Sequence, residues 1–209
     1  RGNLAPAPHD NDHPEHPVHA LNETIGWTKT LGAASQEAMQ QGLPIFLGGD
    51  HSLSAGTVKD AANHAASQAR PQFVLWLDAH SDFHSMESSD SGNLHGTPVA
   101  YFTGHSTFEG FPKVQNPVPQ ENVCIIGLRS VDDAERAALQ NSDIHRHDMR
   151  EIDEHGIARP LSAFLTRVAA VNGMLHVSLD VDFLDPDVAP AVGTTVPGGA
   201  TVREAYLVM

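Results

Sequence analysis

The chain carries one cysteine, Cys124, in 209 residues. A lone thiol forms no intrachain disulfide. Inside the apolar run "NVCIIG" it reads as a small buried hydrophobe in a reducing compartment, so a cytoplasmic location is expected. Positive charge is also scarce, with 12 Lys and Arg against 26 Asp and Glu and a formal net charge of −14. Such a balance argues against nucleic acid or anionic membrane as the main partner. It suits a cationic small molecule or metal-binding carboxylates, although an acidic surface is most often simply well solvated. No apolar run is long enough to span a bilayer, and no basic-then-apolar leader opens the chain. No "GxSxG" elbow surrounds Ser52 or Ser81, which argues against a serine hydrolase. "LGGDHS" lacks the lysine and glycine spacing of a phosphate-binding loop. The chain opens at Arg1 without an initiator Met and stops in the helical pattern "REAYLVM", as a fragment or processed chain would.

What is present is enough for one sizeable core, and a single domain over residues 1–209 is expected. Four short apolar runs recur: "LPIFL" at 43–47, "FVLWL" at 73–77, "NVCIIG" at 122–127 and "MLHVSL" at 174–179. Helical patterns precede the first, separate the first two, and precede the fourth, where Gly173 is the expected stop. Near-continuous apolar strands alternating with helices predict an α/β fold with a mainly parallel sheet covered on both faces. Residues 102–120 read as a loop around one helical turn at most. The first 20 residues read as irregular, with His9, His13, His16 and His19 as surface groups among prolines.

Each apolar run ends in polar chemistry: "GGDHS", "DAHSD", "LRSVDD" and "DVDFLDPD" in turn. Open parallel sheets bind ligands beyond the carboxyl ends of their strands. His51, Asp78, His80, Asp82, Asp180 and Asp182 therefore gather on one edge. On an extended segment Asp78, His80 and Asp82 share a face, as do Asp180 and Asp182. Four carboxylates converging without a cation would have to protonate in part, whereas two divalent ions balance their charge. An oxygen-rich set with some imidazole and no thiolate suits Mn²⁺ better than structural zinc or Mg²⁺, with Co²⁺, Fe²⁺ or Ni²⁺ as substitutes. A DxD alone is most often a solvated turn, and a histidine after glycines a hydrogen-bonded loop residue. The three blocks together are what point to metal.

Taken in order, "GGDHS", "DAHSD" and "SLDVDFLDPDVAPAVGTTVPGG" resemble the signature blocks of the arginase/agmatinase (ureohydrolase) family. The resemblance covers nearly the whole chain and is weakest before residue 20. It implies a three-layer α/β/α fold and two manganese ions per chain, held by the six residues already named. It also implies self-association, as trimers or hexamers. The stretch "FHSMESSDSGNLHG" is more similar to arginases than to agmatinases, which implies L-arginine as substrate. By the same resemblance His84, Ser89 and Ser91 lie at the α-carboxylate, Asp132 at the α-amino group with Glu135 nearby, and Thr194 near the guanidinium. His84 stands where arginases usually have Asn, and Phe183 and Thr195 replace residues that are typically smaller or proline. Family members also have a strand before the position of Arg1, and continue past that of Met209 to a glutamate that pairs with the guanidinium.

The implied reaction is attack of a metal-bridging hydroxide on the guanidinium carbon, giving urea and ornithine. Asp82 orients that hydroxide, and His95 in "SGNLHG" shuttles a proton to the leaving amine; spacing alone fits His95 equally well as a turn cap. The alternatives are a ureohydrolase acting on agmatine, guanidinobutyrate or formiminoglutamate, or an inactive metal-binding remnant.

Overall fold

The computed structural model describes residues 3–12 and 16–209. Of the four N-terminal histidines, His13 lies outside the described residues, while His9, His16 and His19 are exposed on irregular chain. Two compact units are distinguished: Arg1–Ala69 with Asp82–Val118, and Arg70–Ser81 with Pro119–Met209.

The second unit holds the sheet. Strands β1 (Gln72–Leu77), β2 (Val123–Leu128), β3 (His145–Asp148) and β4 (Met174–Leu179) run in the order β3-β2-β1-β4, and every pairing is parallel. Parallel neighbours require crossovers. These include α4 (Asp133–Gln140) between β2 and β3, and α5 (Met149–His155) and α6 (Ala158–Ala170) between β3 and β4. Alternation along β1 sends Phe73, Leu75 and Leu77 to one face, where they join Cys124 and Ile126 of β2. Met149 and Ile152 of α5 and Leu161, Phe164 and Val168 of α6 fill the same core. Phe73 meets Phe164 edge to face at 5.8 Å. Every position of β1 and β2 is buried, as a central parallel strand requires. A last helix, α7 (Val202–Val208), opens with a capping box between Thr201 and Glu204. The α/β class and the parallel sheet are as expected.

One strand expectation fails, and one strand was not foreseen. Residues 43–47 form no strand: Leu43, Ile45 and Leu47 are 91%, 82% and 94% exposed. An apolar run becomes a strand only where a neighbour takes its backbone hydrogen bonds, and 43–47 has none among the described residues. The fourth strand is instead "HRHD", polar because β3 is an edge strand pairing only with β2. Helix α6 also stops earlier than expected. Asn172 takes the left-handed conformation (φ 51°), and Gly173 lies where a Cβ would come within 2.6 Å of the Phe73 ring.

In the first unit, α1 (Leu21–Met39) packs on α2 (Leu53–Ser67) through glycine. A Cβ on Gly56 would come within 2.7 Å of the Thr28 carbonyl oxygen, so only glycine permits this approach. The buried Asp60 carboxylate beside that contact pairs with Lys59 Nζ at 2.7 Å and accepts from Gln36 and Asn63 at 2.8 Å each. A short helix, α3 (Pro98–Phe102), follows, and residues 103–119 form no further helix or strand. Among the described residues no helix is long and apolar enough to cross a membrane.

Candidate metal centre

Strand β1 ends at Leu77, and register places Leu77 beside Leu179 of β4, so Asp78 and Asp180 leave the sheet side by side. Asp180 N–H donates to the Leu77 carbonyl at 2.9 Å, and Asp78 N–H to that of Ile126 at 3.2 Å. Both aspartates then fold the chain in the same way. Asp78 Oδ1 accepts the N–H of His80 at 2.7 Å, and Asp180 Oδ1 accepts that of Asp182 at 2.9 Å. Side-chain oxygens that bond the backbone two residues ahead make tight turns. The extended geometry expected for 78–82 and 180–182 is therefore corrected. These are turns, and Asp82 has a left-handed backbone (φ 49°).

The turns bring Asp78, His80 and Asp182 together, with one ligand atom from each within 4.8 Å of the others. Asp180 also brings a carboxylate oxygen within 4.8 Å of one on Asp78. His80 Nδ1 lies 3.0 Å from Asp182 Oδ2 and 3.4 Å from Asp78 Oδ1. Burial pushes the His80 imidazole pKa down, but its bonds to Asp182 and Asp78 outweigh that and raise it to about 10. Burial raises the Asp182 pKa, and Asp78 and Asp180 raise it further. Three carboxylates and one imidazole, buried or half-buried and without thiol, fit a divalent ion of the Mn²⁺ type. Thr194 joins this group by donating to Asp182 Oδ2 at 3.3 Å.

The other nominated ligands lie in the first unit. His51 Nδ1 is 3.1 Å from Asp82 Oδ2, and the two side chains are only 7% and 6% exposed. His84, Ser89, Ser91 and His95 share one loop. It is pinned at its base by His84 N–H to Gly96 O at 3.1 Å and by Val99 N–H to Asp82 O at 3.0 Å. Ser89 and Ser91 hydroxyls are 3.4 Å apart, and His84 Nδ1 is 3.0 Å from Ser88 Oγ. His95 Nδ1 lies 3.4 Å from Asp50 Oδ2, and this bond is the main cause of the low Asp50 pKa, about 2. Asp132 caps α4, accepting from Glu135 N at 2.9 Å, and the buried Glu135 carboxylate accepts from Ser81 Oγ at 2.5 Å.

Sequence reasoning passed over four residues that shape these groups. Trp76, fully buried, donates from Nε1 to Asp78 Oδ2 at 3.0 Å; at the end of "FVLWL" it reads only as an apolar residue. Ser81 and Asp50 lie inside quoted motifs, but their partners are distant or ambiguous in sequence. Arg129 donates to the carbonyls of Gly127, Asp182 and Val196 at 3.2, 2.6 and 2.8 Å, tying the end of β2 to the segment that carries Asp182 and Thr194.

Comparison with known proteins agrees with this chemistry. A profile described as the arginase family matches residues 9–209. An arginase of Brucella melitensis is 58% identical over 210 residues, covering 100% of this chain and 69% of that protein. An arginase of Agrobacterium fabrum is 56% identical over 201 residues, covering 94% of this chain and 61% of its own length. Among solved structures, Bacillus subtilis arginase superposes with a TM-score of 0.85 at 35% identity, covering 96% of this chain and 68% of that one. Entamoeba histolytica arginase in complex with L-ornithine gives 0.84 at 25% identity, with 96% and 68% covered. The chain thus spans about two thirds of the length of these relatives.

Proposed function

The chain belongs to the arginase family and is a hydrolase of that type, and from that premise we propose that it cleaves L-arginine to urea and L-ornithine using two Mn²⁺ ions. The proposed ligands are His51, Asp78, His80, Asp82, Asp180 and Asp182, within a single ureohydrolase domain over 1–209. The observation that carries the reading is the Asp78–His80–Asp182 group, which brings two carboxylates and an imidazole within 4.8 Å of one another.

When bound, the ions supply a water molecule acidic enough to act as nucleophile near neutral pH. The chain's own residues supply the rest. Asp82 accepts a hydrogen bond from that nucleophile and aims it at the guanidinium carbon. His95 delivers a proton to the departing amine, its ring oriented by Asp50 Oδ2 at 3.4 Å from Nδ1. Thr194 stands at the guanidinium end, next to Asp182. Ser89, Ser91 and His84 hold the α-carboxylate, and Asp132 with Glu135 holds the α-amino group. The L-ornithine complex of the Entamoeba histolytica relative supports an amino-acid substrate. A cytoplasmic homo-oligomer, trimeric or hexameric, completes the proposal. Its compartment rests on the single buried thiol, its assembly on the family.

Urea release from Mn²⁺-loaded protein, with L-arginine and agmatine side by side, tests the reading. Arginine should be strongly preferred, because a site built around a carboxylate rejects a substrate lacking it. Comparable agmatine turnover would overturn the substrate, and bound manganese without urea would overturn the activity. His95→Asn should keep its manganese and lose turnover by about 10²–10⁴-fold.

A further inference from the structure

Ser81 lies between two proposed ligands, His80 and Asp82, and its side chain is wholly buried. Its hydroxyl donates to Glu135 Oε1 at 2.5 Å, and Glu135 is 6% exposed. A hydroxyl bonded to a desolvated carboxylate is one of the stronger neutral-to-charged contacts, because water does not compete for either partner. Glu135 is itself held, since its N–H donates to Asp132 at the start of α4. The neighbouring backbone is anchored to the same stretch, with the N–H groups of Arg129 and Ser130 both donating to the Ala79 carbonyl at 3.0 Å. Segment 79–81 is thus fastened to segment 129–135 at both of its ends.

We propose that Ser81 is a positioning residue. Through Glu135 it holds the turn that presents His80 and Asp82 in ligand geometry, and it ties that turn to the α4 segment assigned to the substrate's α-amino group. The inference rests on the metal reading above. Ser81 makes no bond to substrate or metal; it sets where its neighbours stand. Removing a group that orients a metal ligand weakens metal affinity by about 10–100-fold.

Titration of metal-free protein with Mn²⁺, followed calorimetrically and paired with urea kinetics, tests this. Ser81→Ala should weaken Mn²⁺ binding at least about tenfold and lower kcat, with KM for arginine within about twofold. Ser81→Thr, which keeps the hydroxyl, should restore affinity. In Mn²⁺ affinity Glu135→Ala should match Ser81→Ala, and the double variant should be no weaker than either, since both remove one interaction; its KM for arginine also reports the α-amino contact proposed for Glu135. Wild-type Mn²⁺ affinity in Ser81→Ala, no rescue by threonine, or additive losses in the double variant would each overturn the proposal. Should Ser81→Ala not fold, the Mn²⁺ affinity of Glu135→Ala decides alone, with weakened binding expected and wild-type binding overturning the proposal. Absence of urea from wild-type protein would instead strike the functional reading, and the affinity comparison would still decide the role of Ser81.

Discussion

Single residues here work by where their polar atoms are held. Asp78 shows this: one carboxylate oxygen folds its own turn by accepting His80 N–H, and the other accepts Trp76 Nε1. In the proposed ligand role, a carboxylate fixed at both oxygens would meet an ion without reorganising, as groups around a metal generally provide. Cys124 shows the reverse case, a reactive group held inert. Burial pushes its thiol from the ordinary 9.0 up to about 12, because a thiolate in the β2 core would be desolvated. The folded state therefore holds this proton more tightly than the unfolded chain. The stability this contributes is complete below pH 9.0 and is lost as pH rises towards about 12. Iodoacetamide at mildly alkaline pH should leave the folded protein unlabelled and modify Cys124 fully in concentrated guanidinium. Rapid labelling without denaturant would contradict the burial.

At the scale of elements, edges and caps decide what periodicity leaves open. Strand β3 is exposed and polar, yet it forms, because β2 offers it a row of backbone partners. Residues 43–47 carry the stronger strand composition and stay irregular. Helix α5 begins where Asp148 Oδ1 accepts the N–H of Glu151 at 2.8 Å, turning the end of β3 directly into a helix. Asp148→Ala should cost about 1 kcal/mol, the usual worth of such a cap. In a protein of this size that is a fall in Tm of about 2–4 °C, and Mn²⁺ binding should be unchanged. A melt identical to wild type would show that the cap contributes nothing measurable. Gly127 marks the register shift one residue before the end of β2. Its φ of 108° and the Phe183 ring 2.6 Å from a Cβ position leave no room for a side chain as the chain turns towards Arg129.

At the scale of the whole molecule, acidity and metal dependence are one subject. The net charge of −14 includes carboxylates whose crowding is unfavourable without a cation, as the raised Asp182 pKa shows. An ion that binds only the folded chain stabilises it by mass action, about 2.7 kcal/mol at a concentration one hundred times Kd. Added Mn²⁺ should therefore raise Tm by several degrees, EDTA should reverse the rise, and Mg²⁺ at equal concentration should do less. Coincident melts with Mn²⁺, with Mg²⁺ and with EDTA would show that the acids hold no specific ion.

Much of this was open to reading from sequence, because the relevant physics is local. Apolar runs ending in "DAHSD" and "DVDF" mark strands that stop at carboxylate-bearing turns, and it is residue type that carries the proposal of an oxygen-preferring ion. Three of the four apolar runs became strands, and the parallel α/β class followed from their alternation with helices. Tertiary structure alone decided the rest. It set which run found a pairing partner, turned expected extended segments into carboxylate-capped turns, and matched Ser81 with Glu135, Trp76 with Asp78 and Arg129 with the carbonyls near Asp182. A residue's chemistry travels with its side chain, whereas a strand's partner or a hydroxyl's acceptor is chosen by segments far away in the chain.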